Sequence, residues 1–319
     1  MDSFFGGIML IIIIIMLFVY LIVTYVMFIF VSKRFKHDTL MVMHKAIQTA
    51  ILPYMDIINT GEEWVLSKKK TGNTENIFIN SKDGIKLYGL YIFDKRNKKI
   101  MILAHGYRST VNIDLYSSCK KYFEMGYNLL LINQRATGKS SGKYITFGIK
   151  ESEDIICWCN YFNKRFKNYS IVLGGISMGA TSVLMAARYI TDDMNVKAII
   201  SDSPYVFPYD EVLYCIKHYF HLDGRLFINL INVWCMLFGK FSLKEKSVII
   251  SLKNKEIPIL LIHGENDDFV PINNSKIIYD NYLWKKEFVS FPNASHGMSY
   301  LVDSERYLTV INKFLSENV

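Results

Sequence analysis

Gly175-Ile-Ser177-Met-Gly179 lies between an apolar run, Ile171–Leu173, and a helical pattern that begins at Met178. At the end of a buried strand, two small residues permit a sharp turn that lifts a serine hydroxyl above the sheet. The adjoining helix N-terminus favours negative charge developing there. A plain Gly-rich strand-to-helix turn would read the same in isolation. A serine becomes a nucleophile only with a base to take its proton and an acid to orient that base. Both types follow downstream. The segment Ile259-Leu-Leu-Ile-His263-Gly264-Glu-Asn-Asp267-Asp268-Phe-Val270-Pro271 is a buried run ending in an acidic loop. Phe288-Val-Ser-Phe-Pro-Asn-Ala-Ser-His296-Gly297 is an apolar run ending in a loop histidine. Hydroxyl, carboxylate and imidazole thus all fall past the C-terminal ends of strands, the edge where open α/β sheets bind ligands. The chemistry this order supports is acyl transfer through the serine.

The elements that must position these groups follow from periodicity. Asn76–Asn80 and Lys86–Phe93 flank Ser81-Lys82-Asp83-Gly84, whose Asp-Gly signals a hairpin. Buried-strand runs follow at Ile100–Ala104, Asn128–Ile132, Ile171–Leu173, Val196–Ser201, Pro258–Ile262 and Glu287–Ser290. Helical periods separate them, notably Ile149–Arg165, Met178–Ile190, Asn274–Leu283 and Tyr300–Leu315. An opening hairpin and repeated strand–helix units predict an α/β fold: a mostly parallel sheet with helices on both faces. The rhythm breaks between Tyr205 and Glu256, where helical, aromatic-rich sequence reads as a cap inserted between two core strands. Its Phe, Tyr, Leu and Trp234 suggest either an apolar acyl pocket or the cap's own packing.

The separated motifs Ala104-His105-Gly106-Tyr107, Asn133-Gln134-Arg135-Ala136-Thr137-Gly138-Lys139-Ser140, GISMG, HGENDDFVP and Ala294-Ser-His296-Gly297 together resemble the α/β-hydrolases. The likeness is to the serine-hydrolase branch of peptidase-like and esterase/lipase-like proteins with a membrane anchor, and covers roughly Glu75 to the C-terminus. It implies Ser177 as nucleophile, His296 as base and Asp267 as acid. The pattern His-Gly-x-x-Asp-x-x-Val-Pro favours Asp267 over Asp268, and Asp202 is a further alternative. It also implies an oxyanion hole of two backbone N–H groups, Tyr107 and Met178. Relatives commonly carry Arg-x-His-Gly after the fourth strand, where this chain has Arg135-Ala136-Thr137-Gly138, so contacts of that loop are in question. His105 and His263 are expected to brace their strand-end turns. His218 and His221, three apart on the cap, are either metal-facing or solvated and packed cap residues.

The other sequence features bound the class. The chain has 319 residues, 51% hydrophobic and 21% charged, which excludes global disorder. Ile8–Val31 is uncharged and, at ~1.5 Å per residue, long enough for a bilayer. It lacks the basic n-region, short core and cleavage site of a secretory signal, so it reads as a single-pass anchor. All Lys and Arg follow it, beginning with Lys33, Arg34, Lys36 and Lys45, which predicts a cytoplasmic catalytic domain. The organisation expected is an anchor segment over 1–31, a juxtamembrane segment over 32–74, and a hydrolase domain over 75–319 with its cap at about 205–256. In the juxtamembrane segment Leu40, Met41, Met43, Ile47, Ile51 and Leu52 follow helical spacing up to Pro53, and Lys68-Lys69-Lys70-Thr-Gly-Asn reads as an exposed loop. Five cysteines without framework spacing agree with a reducing compartment.

No nucleotide, flavin or metal motif is present, so no cofactor is expected. The net charge of +8 is dispersed and suits an anionic membrane surface; no nucleic-acid motif accompanies it. The expected partners are a small-molecule or lipid acyl substrate and the membrane, with no nucleic acid and no obligate protein partner. The function expected is hydrolysis of an ester, thioester or amide through an acyl-enzyme. The competing reading is a catalytically silent scaffold or ligand sensor on the same fold, and a transferase or lyase using the same triad is a third.

Overall fold

The computed structural model describes residues 2–34 and 51–319. Eight strands form one sheet: β1 (Thr74–Asn80), β2 (Lys86–Ile92), β3 (Lys99–Ala104), β4 (Tyr127–Asn133), β5 (Ser170–Ile176), β6 (Val196–Asp202), β7 (Ile259–Gly264) and β8 (Lys286–Phe291). Their spatial order is β1-β2-β4-β3-β5-β6-β7-β8. The first two pairings, β1/β2 and β2/β4, are antiparallel and the rest are parallel. Central strands read as continuous apolar runs because helices cover both faces; every residue of β4 is buried. One face packs on the helix Ile149–Arg165, whose Trp158 and Phe162 are fully buried, and on Met178–Ala186. The other packs on Tyr116–Glu124 and the C-terminal helix Ser304–Asn318.

Between β6 and β7 the chain forms the helices Pro208–Phe220, Ile228–Trp234 and Val248–Leu252, with a π-turn at Cys235–Gly239. This inserted region has its own apolar cluster, built from Val212, Ile216, Ile228, Ile231 and Cys235 together with Phe147.

Two sequence expectations change. Lys68-Lys69-Lys70 is not a loop: it forms the last turn of a helix, Met55–Lys70. Only Ile58, Gly61 and Val65 of that helix are buried, a face too narrow to stand out as a period. A Cβ at Gly61 would lie 2.3 Å from the Tyr116 carbonyl oxygen, so its absence lets this helix close on Tyr116–Glu124. The second change is at the C-terminus, where Tyr300–Leu315 divides into a one-turn helix, Ser299–Val302, and Ser304–Asn318, capped by Asp303. The juxtamembrane spacing at Leu40, Met41, Met43 and Ile47 lies outside the described residues.

The N-terminal helix runs Asp2–Ser32, and its Phe4–Ser32 portion is long and apolar enough to cross a membrane. Phe4–Val19 stand exposed, and packing begins at Tyr20. The Tyr25 ring meets Trp234 and Phe238, each at 5.5 Å, and Trp234 Nε1 donates to Thr24 Oγ1 at 3.1 Å. Phe28 is wholly buried among the inserted helices. Arg34 then donates to the carbonyls of Ser140 and Gly138, at 2.7 and 2.6 Å. The end of this helix is therefore part of the domain's packing.

Candidate active site

Ser177 follows β5 at the centre of the sheet and takes a strained positive-φ conformation (φ 56°, ψ −120°). Two flanking glycines make this turn possible by close approach. A Cβ on Gly175 would lie 2.4 Å from the Gly179 carbonyl carbon, and one on Gly179 would lie 2.2 Å from the Ala104 carbonyl oxygen. The strained turn projects Oγ over the sheet edge. The acidic loop after β7 and the histidine loop after β8 reach the same point.

His296 Nε2 lies 2.7 Å from Ser177 Oγ, and His296 Nδ1 lies 2.7 Å from Asp267 Oδ2. The second contact requires Nδ1 to carry the proton, which leaves Nε2 to accept from the hydroxyl. Asp267 is buried and held from both sides. Its Oδ1 accepts the backbone N–H groups of Phe269 and Val270, at 3.0 and 2.8 Å. Its Oδ2 also lies 3.2 Å from His263 Nε2. Burial alone would raise this carboxyl, but His296 and His263 outweigh it and hold it below the usual carboxylate range. Burial opposes charge on His296 as well, yet the Asp267 carboxylate raises its pKa above the ordinary 6.5.

The alternatives separate on geometry. Asp268 is exposed and engages the inserted region through its backbone carbonyl, which accepts from Tyr214 Oη at 3.1 Å. Asp202 is buried at the end of β6, its Oδ1 accepting from Ser203, and burial pushes it up to about 6. Neither is hydrogen-bonded to His296. His263 braces Asp267 while its own Nδ1 and Nε2 contact Ser275 Oγ and the Val270 carbonyl, at 2.7 and 2.8 Å.

The turn after β3 supplies the facing wall. Its position is fixed by Asp114, whose Oδ2 accepts the Gly106 N–H at 2.7 Å and whose Oδ1 accepts from Ser109 at 2.5 Å. A Cβ on Gly106 would lie 3.3 Å from Ser177 Cβ, so the turn lies directly beside the serine. Met178 is the first residue of its helix, where the backbone N–H has no intrahelical acceptor. Tyr107 N–H makes no hydrogen bond among the described residues. His105 holds the base of this turn: its Nε2 accepts from Gln134 N–H at 3.2 Å and lies 3.1 Å from Thr137 Oγ1. The threonine of the unusual Arg135-Ala136-Thr137-Gly138 turn therefore supplies a hydroxyl contact to His105.

Three features were missed in the sequence. Tyr107 Oη donates to the Val31 carbonyl at 2.6 Å, and Arg108 donates to the carbonyls of Phe30 and Lys33. The turn beside the serine is thus fastened to the last turn of the N-terminal helix, with Arg108 at its negative dipole end. Glu211, on Pro208–Phe220, is buried near the site, and burial pushes its carboxyl up to about 8. The only sequence signal was an acidic residue on that helix's buried face. The third is a cavity of about 460 Å³ that opens at Ser177 and His296 and is lined by Leu103, Leu115, Tyr122, Ile200, Met298 and Tyr300 among others. None of its lining residues comes from between β6 and β7. Of the inserted aromatics, Phe227, Trp234 and Phe238 pack on the N-terminal helix. His218 stacks on Tyr214 with ring centroids 5.3 Å apart. Among the described residues no group of three His, Cys, Asp or Glu could hold a metal.

No family model matches the chain. It is 24% identical over 265 residues to the uncharacterized protein YqkD of Bacillus subtilis, covering 78% of this chain and 85% of that one. It is 25% identical over 199 residues to protein bem46 of Schizosaccharomyces pombe, covering 62% and 60%. Among solved structures, an esterase of Pyrococcus furiosus, Pf2001, superposes with a TM-score of 0.62 at 23% identity, covering 77% of this chain and 91% of that one. The sheet order and these likenesses give the chain the α/β-hydrolase fold.

Proposed function

We propose that this chain, an α/β-hydrolase by fold, is a serine hydrolase that transfers an acyl group to water. The observation that carries the reading is the pair of 2.7 Å contacts linking Ser177, His296 and Asp267 in one line. His296 Nε2 takes the hydroxyl proton as Ser177 Oγ attacks the carbonyl carbon. Asp267 stabilises the imidazolium that forms. The oxyanion is received by the N–H groups of Met178 and Tyr107, and losing one such donor typically costs ~3–4 kcal/mol of transition-state stabilisation. His296 then passes its proton to the leaving oxygen, sulfur or nitrogen. A water, deprotonated by the same Nε2, releases the acid and restores the serine. The cavity's mainly apolar lining favours an apolar acyl group over a charged one.

The N-terminal helix is read as a single membrane span with the catalytic domain on the cytoplasmic side, since Lys33 and Arg34 follow it directly. Lipid acyl compounds thereby become candidate substrates.

Hydrolysis of a series of p-nitrophenyl esters of increasing chain length by the full chain tests the activity. Turnover is expected for the wild type and is abolished in Ser177→Ala. Equal turnover by that variant would overturn the reading.

A further inference from the structure

The N-terminal helix enters the domain's packing before its free length has crossed a bilayer. Phe4–Val19 is the portion exposed on every side, and at ~1.5 Å per residue it covers ~24 Å. Beyond it Ile22, Val23 and Val26 stay exposed on one face while the other packs on the domain. A hydrocarbon core of ~30 Å needs ~20 residues, which counted from Phe4 past the charged Asp2 ends near Val23. Tilt only increases the requirement. Tyr20, inside that stretch, already packs on Phe227 at 6.0 Å and donates to the Leu226 carbonyl. The depth at which the span completes is therefore a depth at which the inserted region stands beside it.

That region presents apolar side chains there. Leu226, Met236, Leu237 and Phe238 are 64%, 45%, 55% and 46% exposed. The Phe238 ring continues directly into the helix, lying 5.5 Å from Tyr25 and 6.1 Å from Phe28. Tyr25 and Trp234, types favoured at membrane–water boundaries, lie at this junction, and Lys240 follows the π-turn. We propose that the rim formed by Leu226 and Met236–Phe238 is seated in the bilayer next to the helix. This rests on reading the helix as a span. The lipid surface is chosen as partner because the patch is continuous with the segment that enters it and because the inserted region already flanks one face of the helix before a bilayer's length is complete. The helix and the adjoining rim together then fix the domain's height and rotation on the membrane, which a lone tether would not do.

The test places an environment-sensitive fluorophore on Leu237→Cys, and separately on Ile12→Cys, in the full chain with Cys157 and Cys215 replaced by alanine. The protein is reconstituted in phosphatidylcholine vesicles containing lipids with quenchers at defined acyl-chain depths. Both probes are expected to shift to the blue and to lose most of their emission. Leu237→Cys should respond more to a quencher near the headgroup, and Ile12→Cys more to one near the chain end. An unquenched, water-exposed probe at Leu237→Cys with a quenched one at Ile12→Cys would overturn the rim and leave the span intact. Loss of quenching at both would remove the span, and the rim with it. A Leu237→Cys probe that is dry, unquenched by lipid and exposed on dilution into excess lipid would show that a second copy covers the rim, also overturning the proposal. Leu226→Cys gives an independent position should Leu237→Cys fail to fold.

Discussion

The hydroxyl of Tyr107 donates to the main-chain carbonyl of Val31, 2.6 Å away, across 76 residues of sequence. Tyr107 also carries one of the two backbone N–H groups assigned to the oxyanion. Tyr107→Phe keeps the ring stacked on Phe147 and removes only this bond. A hydrogen bond of ~0.5–1.5 kcal/mol, felt at the oxyanion, corresponds to a fall in kcat of about twofold to tenfold with KM nearly unchanged. Steady-state kinetics of the full chain would show it; a lowered melting temperature with unaltered kcat would make the contact structural alone.

Asp267 and Asp268 are neighbours with opposite surroundings, one buried against His296 and the other exposed. Asp267→Asn should lower kcat by about 10⁴, because the imidazole loses both its orienting anion and the correct tautomer. Asp268→Asn should remain within a few-fold of wild type. The pH profile carries the same cause. The base must be neutral, and Asp267 raises the His296 pKa, so the wild-type rate should climb with pH through a value above 6.5. Asp267→Asn should move that limb to lower pH.

Burial holds the Glu211 carboxyl up to about 8, so it is mostly protonated at pH 7 and gives up its proton around pH 8. An anion there would raise the His296 pKa further and hold part of the base protonated. Wild-type kcat should therefore decline above pH 8, while Glu211→Gln should match the wild type at pH 7 and lose the alkaline decline. An unchanged alkaline limb in the variant would separate Glu211 from the reaction.

The strand and motif pattern was legible because burial on both faces leaves little choice of residue: Leu129-Leu130-Leu131-Ile132 of β4 can be little else. Ser177, the acidic loop and His296 were legible because each follows such a run directly. What escaped depends on contacts distant in sequence. Glu211 acquires its surroundings only when Pro208–Phe220 folds back near His296. Tyr107 and Arg108 find their acceptors on a helix some 75 residues earlier. Met55–Lys70 was hidden by its three closing lysines, and the direction of the cavity by side-chain packing that no period encodes.

Arg135 is buried and forks onto Asp154, with Nε–Oδ2 and Nη2–Oδ1 at 2.7 and 2.6 Å, while also reaching Asp83 at 3.0 Å. It ties the turn after β4 to the helix Ile149–Arg165. Arg135→Met strands a buried carboxylate and should cost ~3–5 kcal/mol in a denaturant titration. Adding Asp154→Leu should recover much of that loss, because both buried charges are then gone. A single variant as stable as wild type would show the pair to be dispensable.

The central claim is that one serine, Ser177, is made nucleophilic by His296 and Asp267. Its most direct measurement is peptide mapping of the full chain by mass spectrometry after treatment with a fluorophosphonate. The account predicts one adduct per chain, on Ser177, and none in Ser177→Ala. A stoichiometric adduct on another serine, or labelling that persists in the alanine variant, would contradict it.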